Sequence, residues 1–380
     1  MKVDVEAAQL DETSGFPEDL LTVPAVLIKQ VLPRPTLLHL RGRSPSTLFV
    51  SVLLHGDEDV GLKAVQQVLS NYRTTPLPRC MSIFVGNVEA AAAATRYLPH
   101  QPDYNRIWPG SELPETPEHG MMRQVVSTMV ERQVTASIDL HNNSGRNPHY
   151  ACICSLNVEH LRLAELFSRQ VLYFQRPKGV QTQAFAQFCP SITCECGPIG
   201  DATGVRAAAE LLERALQLEN SSNARYGEAN DELGRREAAE PALLYHTIAT
   251  WRIAPEATLS FVRHSQADVI LRPDLDLLNF VDLPRGEPLA EIQGGSIDCV
   301  EVRDESGRLV TEEFFELDHG KLRLTRGGLL PSMFTCSIDA IRQDCVGYLT
   351  ERFPLSRLLY QPASVTSVSV TGLKDKNASG

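Results

Sequence analysis

Three side chains able to bind a metal ion follow short apolar runs of the sequence. His55 and Glu58 come directly after the run TLFVSVLL, and His141 follows the run ASIDL, 86 residues after His55. Catalytic zinc sites commonly combine two histidines and one glutamate, with a short spacer, a distant third ligand and an open position for water. The spacing therefore predicts that His55, Glu58 and His141 bind one zinc ion per chain.

A further glutamate, Glu195, lies within the segment SITCEC and precedes Gly197-Pro198. Acidic side chains are rarely buried without a partner or a function. Near a zinc ion, a glutamate can take a proton from water as general base and pass it to a leaving amine. We predict this role for Glu195; the alternative is a glutamate that caps the following turn.

Basic and amide side chains occur in two segments between these acidic residues. Arg96 lies in ATRY, and Asn105 and Arg106 lie in DYNRIWPG. An asparagine and an arginine offer planar donors suited to a carboxylate, and a second arginine can stabilise an oxyanion. We predict that Asn105 and Arg106 bind a substrate carboxylate and that Arg96 stabilises the oxyanion, the alternative for each arginine being a solvated surface position.

The elements that must position these residues follow an alternating pattern between residues 47 and 200. Short apolar, β-branched runs alternate with segments of helical periodicity, which predicts an α/β fold. Ligands bind such sheets beyond the carboxyl ends of the strands, where the predicted zinc ligands fall. The predicted strands cover residues 47–54, 81–86, 136–140, 150–154 and 191–194. Helical periodicity covers residues 62–69, 121–130, 161–171 and 207–218, with Thr116-Pro117 as the start signal of the second helix.

The pattern of apolar and polar residues in the sequence changes after residue 218. Residues 219–240 are polar and predict an exposed connector, and the short strand-like runs that follow predict a small β-rich domain. We therefore expect a catalytic domain at 1–240, with its first twenty or so residues disordered, and a C-terminal domain at 241–350. A tail at 351–380 completes the chain, and its last twenty residues are expected to fray.

The composition of the sequence limits the classes of partner that the chain is expected to bind. Of 380 residues, 36 are basic and 47 acidic, a net charge of −11 without a basic run, which argues against nucleic acid. No stretch of 18 apolar residues occurs, so we expect no membrane span. The acidic start of the chain lacks the apolar core of a signal peptide, and the nine cysteines lack disulfide spacing, so we expect a cytoplasmic protein with reduced thiols. Homo-oligomer formation stays open.

Five ordered segments resemble the motifs of one family. HGDE, TRY, DYNRIWPG, DLHNN and CECGP resemble those of the succinylglutamate desuccinylase/aspartoacylase family, a branch of the zinc carboxypeptidase fold. The resemblance covers residues 47–200, and PRGEPLAEIQGG resembles the C-terminal domain of the family. It implies a mixed, mostly parallel sheet flanked by helices, with a smaller β-rich C-terminal domain. The implied residues are the zinc ligands His55, Glu58 and His141, the base Glu195, Arg96 on the scissile carbonyl, and Asn105 with Arg106 on a substrate carboxylate.

The sequence departs from the family pattern around two of these motifs. Leu53 and Leu54 stand where the family usually has glycines, and Asp57 replaces the common asparagine. Aspartoacylases also carry an arginine upstream of the catalytic glutamate that binds the second carboxylate of N-acetylaspartate. Here the nearest upstream basic residues are Arg176 and Lys178, so the resemblance does not imply this substrate. Tyr348 and Tyr360 are candidates for the C-terminal tyrosine that completes some family sites.

Three classes of function are compatible with these residues. The leading hypothesis is a zinc amidohydrolase that removes the acyl group from an N-acyl amino acid. A zinc carboxypeptidase acting on short peptides would use the same residues, and the sequence does not separate the two. A zinc-binding protein without turnover is disfavoured, because it would need neither Glu195 nor Arg96.

Two pairs of cysteines suggest a rival metal site. Cys152 with Cys154 and Cys194 with Cys196 form C-x-C pairs that alternation places on one face of a strand. Structural zinc sites usually use C-x(2–4)-C spacing, and cysteine is common in buried strands. We therefore predict that these cysteines pack in the core.

Overall fold

The computed structural model of the protein describes residues 8–218 and 242–354. In these two segments the α-helices are α1 (Val60–Asn71), α2 (Val88–Ala92), α3 (Pro117–Glu131), α4 (Val158–Glu165), α5 (Gln181–Phe185), α6 (Ala202–Gln217), α7 (Thr311–Phe314) and α8 (Ile338–Gln343). Short 3-10 helices cover Glu18–Leu21, Ala25–Gln30, Leu275–Leu278 and Ile297–Cys299.

The first strands of the chain are β1 (Asp11–Ser14), β2 (Thr36–Leu40), β3 (Gly42–Val52), β4 (Leu77–Val85), β5 (Val134–Asn143), β6 (Tyr150–Ile153), β7 (Gln170–Tyr173) and β8 (Ser191–Pro198). The later strands are β9 (Leu243–Ile253), β10 (Leu259–Ser260), β11 (Val269–Leu271), β12 (Pro288–Ile292), β13 (Val300–Asp304), β14 (Phe315–Asp318), β15 (Lys321–Leu324), β16 (Leu330–Ser332) and β17 (Gly347–Arg352).

Twelve of these strands form one mixed sheet in the order β1-β2-β4-β3-β5-β8-β6-β7-β9-β17-β16, with β13 paired to β9. The central pairs β3–β4, β3–β5 and β5–β8 are parallel, as are β6–β7 and β7–β9. A separate five-stranded sheet has the order β10-β11-β12-β15-β14. The predicted fold class is therefore confirmed: a mixed, mostly parallel α/β sheet with helices, and a separate β-rich C-terminal sheet.

Apolar side chains cover both faces of the large sheet. On one face Val50, Ile138 and Ile192 pack in a core cluster with apolar residues of α1, α4 and α6. On the other face Phe49 packs with residues of α3 and α5, among them Met121. Helix α3 begins at Pro117 behind Thr116, the predicted start signal, because the Thr116 and His119 side chains each engage a backbone N–H of the first turn.

The structure corrects several predicted boundaries. The helix predicted over 161–171 is wrong at its end, because α4 stops at Glu165 and 170–173 form β7 between β6 and β9. Strands β5 and β8 run past their predicted ends because they continue to pair with each other. Disorder of the first twenty residues is wrong for Asp11–Ser14, which pair with β2. The predicted connector at 219–240 and the fraying tail at 361–380 lie outside the described residues.

Four strands beyond the predicted boundary at residue 240 extend the large sheet. Strand β9 adds to β7 in parallel, and β17 and β13 pair with β9 on either side. The C-terminal part of the chain therefore reaches the edge of the sheet next to β7. This arrangement brings residues near 344 close to residues of the first half of the chain.

Candidate active site

The turn after β3 places His55 and Glu58 at the sheet edge. Leu53 has a φ of 55°, a left-handed conformation that favours glycine, so this leucine adopts the conformation at one of the positions where the family usually has glycine. Gly56 packs against helix α2, where an added Cβ would lie 2.2 Å from the Ala90 carbonyl carbon. The N–H of Gly56 donates to the Arg96 carbonyl at 3.0 Å, which holds the two segments together.

His141 reaches the same place from the neighbouring strand. It lies within β5, two residues after Asp139, so both side chains point to one face of the sheet. Glu58 lies between the two histidines: its Oε1 is 2.8 Å from His55 Nδ1 and its Oε2 is 2.7 Å from His141 Nδ1. All three side chains are buried, and one ligand atom of each lies within 4.8 Å of the others.

The surroundings of this cluster fit a metal ion held by two imidazoles and a carboxylate. The ring nitrogen of each histidine that faces away from Glu58 meets a carboxylate, with His55 Nε2 at 3.0 Å from Asp103 Oδ1 and His141 Nε2 at 2.7 Å from Asp139 Oδ2. Such outer carboxylates fix the tautomer and orientation of histidine ligands in metal sites. Ser51 in turn donates to Asp139 Oδ1 at 2.7 Å.

The charges of the cluster keep Glu58 ionised. Burial alone would raise the pKa of Glu58, but His55 and His141 lower it well below its usual range. The backbone N–H of Asn142 also donates to Glu58 Oε2 at 3.1 Å. A deprotonated carboxylate is the form that a metal ion requires, so the protein holds this ligand ready to bind.

Glu195 lies beside His141 on the adjacent strand. The two residues are register partners in the parallel pair β5–β8, and Glu195 is 8% exposed. Burial raises the pKa of Glu195 to about 7, against an opposing effect of His141. Within the described residues, Glu195 Oε2 has no hydrogen-bond partner. A buried, unpartnered carboxyl with this pKa is suited to accept and return a proton near neutral pH.

The two arginines are held by acidic side chains. Arg96 Nη2 donates to Asp103 Oδ2 at 2.9 Å, while its Nη1 lies 3.7 Å from Glu58 Oε1. Arg106 Nη2 donates to Asp344 Oδ2 at 2.7 Å. Burial would raise the pKa of Asp344, but Arg106 and Arg96 lower it overall, so Asp344 is a carboxylate that already occupies one donor of Arg106.

Asn105 contacts both the histidine cluster and a neighbouring loop. Its Nδ2 lies 3.2 Å from His141 Nε2, and its Oδ1 accepts a hydrogen bond from the Gln181 N–H at 3.0 Å. The amide oxygen is therefore engaged within the protein, and Nδ2 packs against the ring nitrogen that faces Asp139. Asn105 lines the cavity, but its contacts here position His141 and the loop before α5.

One cavity joins all seven predicted site residues. It has about 650 Å³ of empty volume, counting the part open to solvent. The predicted residues that line it are His55, Glu58, Arg96, Asn105, Arg106, His141 and Glu195. Tyr348 lines it as well, whereas Tyr360 lies outside the described residues. Arg176 also reaches the cavity, although Lys178 is not among the lining residues.

Sequence reasoning missed three acidic residues of the site. Asp139 could have been found, because it precedes His141 by two residues on a strand and therefore shares its face. Asp103 stands in the segment DYNRIWPG, but nothing in its spacing indicates a contact with His55. Asp344 follows α8 in the C-terminal part, and only the tertiary structure brings it to Arg106.

The cysteines do not form a thiolate site. Cys194 and Cys196 pack in the core on the α1 and α6 face of the sheet, as predicted, whereas Cys152 lines the cavity on the opposite face. Among the residues that the structure describes, the only group of three or more potential metal ligands is His55, Glu58 and His141. In the same residues, no helix combines the length and apolarity needed to cross a membrane.

The fold and this cluster define an α/β protein with a candidate metal site at the edge of a mixed sheet. The family profile described as "Succinylglutamate desuccinylase/Aspartoacylase catalytic domain" matches residues 45–221, a range that contains all seven predicted site residues. The predicted resemblance to the succinylglutamate desuccinylase/aspartoacylase family is therefore confirmed for this part of the chain, and members of that family are hydrolases that act on amide bonds. No curated protein sequence matches it.

Solved structures show the same fold at low sequence identity. A succinylglutamate desuccinylase from Vibrio parahaemolyticus is 14% identical, with a TM-score of 0.55 over 84% of this chain and 86% of that chain. A succinylglutamate desuccinylase/aspartoacylase from Rhodobacter sphaeroides is 16% identical, with a TM-score of 0.53 over 83% of this chain and 88% of that chain. A succinylglutamate desuccinylase from Chromobacterium violaceum is 15% identical, with a TM-score of 0.52 over 81% and 85%.

Proposed function

We propose that this protein is a zinc-dependent amidohydrolase that removes the acyl group from an N-acyl amino acid. The observation that carries the proposal is the position of Glu195 directly beside the His55–Glu58–His141 cluster, buried and, among the described residues, without a partner at Oε2. The chemistry of the donor set favours zinc, since two imidazoles and one carboxylate leave a further position open.

Each residue would have a distinct role. Bound zinc would supply Lewis-acid polarisation of the carbonyl and a lowered pKa of water. Glu195 would take the proton from the attacking water and return it to the departing amine, which a carboxyl with a pKa of about 7 can do in both directions. Arg96 would donate through Nη1 to the developing oxyanion, because its Nε and Nη2 are already engaged by Asp103.

The carboxylate of the substrate would bind at Arg106. In the structure Arg106 Nη1 donates to the Asn105 carbonyl at 2.8 Å and Nη2 donates to Asp344. A substrate carboxylate would therefore take the place of Asp344 on Nη2, while Asn105 would orient the arginine and His141. Fixing the carboxylate at this point would align the amide carbonyl with the metal cluster and Glu195.

A zinc carboxypeptidase acting on short peptides is the alternative function. It needs the same residues, and it differs in requiring room for a peptide on the acyl side of the amide bond. A zinc-binding protein without turnover is the weaker alternative, because Glu195 and Arg96 both face the cavity.

The test combines metal content with turnover. We expect about one zinc per chain in the wild-type protein by elemental analysis, and loss of zinc in the double variant His55→Ala/His141→Ala. The wild-type protein should hydrolyse members of a panel of N-acyl amino acids more efficiently than short peptides of matched sequence. His160→Ala is the matched control, because it removes a buried histidine outside the cavity and should retain zinc. Absence of zinc from the wild-type protein would refute the proposal.

A further inference from the structure

We infer that the amino acid released by this enzyme has an uncharged, apolar side chain, an inference that rests on the proposed deacylase function. Its basis is the composition of the cavity on the side of Glu195 that faces away from His141. The residues that line this side, here called the apolar compartment, are Tyr150, Cys152, Leu172, Phe174, Val180 and Met333.

The apolar compartment lies next to the metal cluster on the same sheet, on the strands that follow β8 in the strand order. Glu195 on β8 is the register partner of His141 on one side and of Tyr150 on the other. Two residues after Tyr150 on β6, Cys152 is the register partner of Leu172 on the next strand, β7. The cavity lining therefore changes, two strands away from the metal ligand on β5, to apolar side chains that pack in a cluster of their own.

The groups of the compartment that can ionise stay neutral. Burial raises the pKa of the Tyr150 phenol and of the Cys152 thiol well above their usual ranges. The threonines that also line the cavity, Thr193 and Thr247, carry neutral hydroxyls. A charged substrate group placed here would lose its hydration, and the six residues of the compartment offer it no partner of opposite charge.

The compartment adjoins the proposed carboxylate site. Val180 stands between Gly179, whose carbonyl accepts from the Trp108 N–H at 2.9 Å, and Gln181, whose N–H donates to Asn105. A Cβ on Gly179 would lie 2.2 Å from the Arg106 carbonyl, so this loop packs closely on Arg106. The carboxylate and the side chain of an amino acid are bonded to the same carbon atom, Cα. A carboxylate on Arg106 therefore directs the side chain toward Val180 and the compartment.

The cation on this side of the cavity is Arg176, and three of its five N–H groups donate to protein oxygens. Its Nη1 and Nη2 donate to the two carboxylate oxygens of Glu112 at 2.7 and 3.0 Å, and its Nε donates to the Glu305 carbonyl at 2.8 Å. A second carboxylate on the substrate would therefore compete with Glu112 for this guanidinium. This competition disfavours acidic side chains.

The first experiment compares side chains at a constant acyl group. We expect the zinc-loaded full-length protein to hydrolyse N-acetyl-L-leucine and N-acetyl-L-phenylalanine with a kcat/KM at least about 100-fold above that for N-acetyl-L-aspartate and N-acetyl-L-glutamate. Equal or higher efficiency with the acidic substrates would overturn the inference. If Arg176→Gln then abolished turnover of the acidic substrates alone, Arg176 would be the group that binds their second carboxylate.

A pair of variants at one position tests the compartment itself. Phe174→Arg places a cation in it and should reduce the preference for leucine over aspartate by at least tenfold, whereas Phe174→Leu should keep the order of preference. An unchanged preference in a folded Phe174→Arg protein would place the substrate side chain elsewhere and overturn the inference.

Binding to an inactive variant separates this inference from the proposed function. By calorimetry, zinc-loaded Glu195→Gln should bind L-leucine more tightly than L-aspartate, and the reverse order would overturn the inference. If the wild-type protein hydrolyses no amide but this order of binding holds, the proposed function fails and the specificity of the cavity stands.

Discussion

Alternate residues of the central strands β5 and β8 face two different environments. One face carries Ser137, Asp139, His141, Ser191, Thr193 and Glu195, and the other carries Ala136, Ile138, Leu140, Ile192, Cys194 and Cys196. Every one of these side chains is buried. The six residues named on the first face are all polar and the six named on the second are all apolar, although the same two strands supply both.

The two faces make opposite contributions to folding. Burial of the apolar face stabilises the protein, whereas burial of polar groups costs free energy unless each finds a partner. Gln181 donates to Ser137 and Ser51 donates to Asp139, but within the described residues Ser191 Oγ and Glu195 Oε2 have no partner. A polar face that is left partly unpartnered indicates a role in function, and the apolar face indicates a role in stability.

The largest effect is expected from the polar face. Glu195→Gln keeps the shape of the side chain but removes the proposed base, so kcat should fall by about 10²- to 10⁴-fold. Steady-state kinetics with zinc-loaded protein measures this effect. Zinc content and melting temperature should stay close to those of the wild-type protein, because His55, Glu58 and His141 are unchanged. Full activity in this variant would contradict the role of Glu195.

The matching change on the apolar face should affect stability instead. Ile192→Ala removes a fully buried side chain and should lower the free energy of unfolding by about 2–5 kcal/mol. Ile199→Ala is the control, since Ile199 follows the same strand but is 52% exposed, and surface changes usually stay within about 0.5 kcal/mol. Urea denaturation measures both. A loss of zinc binding in folded Ile192→Ala protein would show that the two faces are not independent.

The sequence could predict the residues of the polar face better than the residues that distant segments bring to the cavity. His55, Glu58, His141 and Glu195 follow or end short apolar runs, and strand periodicity places them at one edge of a sheet. Asp139 follows from the same periodicity. Local patterns therefore hold enough information for the residues that the central strands themselves carry.

Contacts between distant segments could not be predicted in this way. Asp344 meets Arg106 because β17 and β9 extend the sheet and carry the C-terminal part toward the cavity, which no local pattern records. The short strand β7 begins within the stretch of helical periodicity at 161–171, and only its pairing with β6 and β9 identifies it as a strand. Tertiary packing decides both features.

A buried histidine behind the apolar face contrasts with His141. His160 on α4 has Nδ1 at 2.7 Å from Asn157 Oδ1, but its Nε2 has no partner among the described residues. Burial lowers the pKa of His160 to about 4. The unfolded chain binds a proton below about pH 6.5 while the folded protein does not, so stability is present above pH 6.5 and is lost as pH falls toward 4.

This difference gives a prediction for stability against pH. His160 should contribute a loss of about 2 kcal/mol in the free energy of unfolding between pH 7 and pH 5. Urea denaturation of wild-type and His160→Gln protein at both pH values measures it, and the variant should lose less stability than the wild type. His264→Gln, at an exposed position, controls for the loss of a histidine as such. Identical losses in wild type and His160→Gln would contradict the assignment.

The smallest expected effect concerns Asp344, a carboxylate that lines the same cavity but does not lie on the central strands. Asp344 occupies the donor of Arg106 that a substrate carboxylate needs, so the two anions compete for one guanidinium. Asp344→Asn removes the competing charge and should lower KM for a carboxylate-bearing substrate by about 2- to 10-fold, with kcat little changed. Asp103→Asn should act differently, because Asp103 holds Arg96 and His55 in place, and its loss should reduce kcat. A higher KM in Asp344→Asn would instead show that Asp344 positions Arg106 for the substrate rather than competing with it.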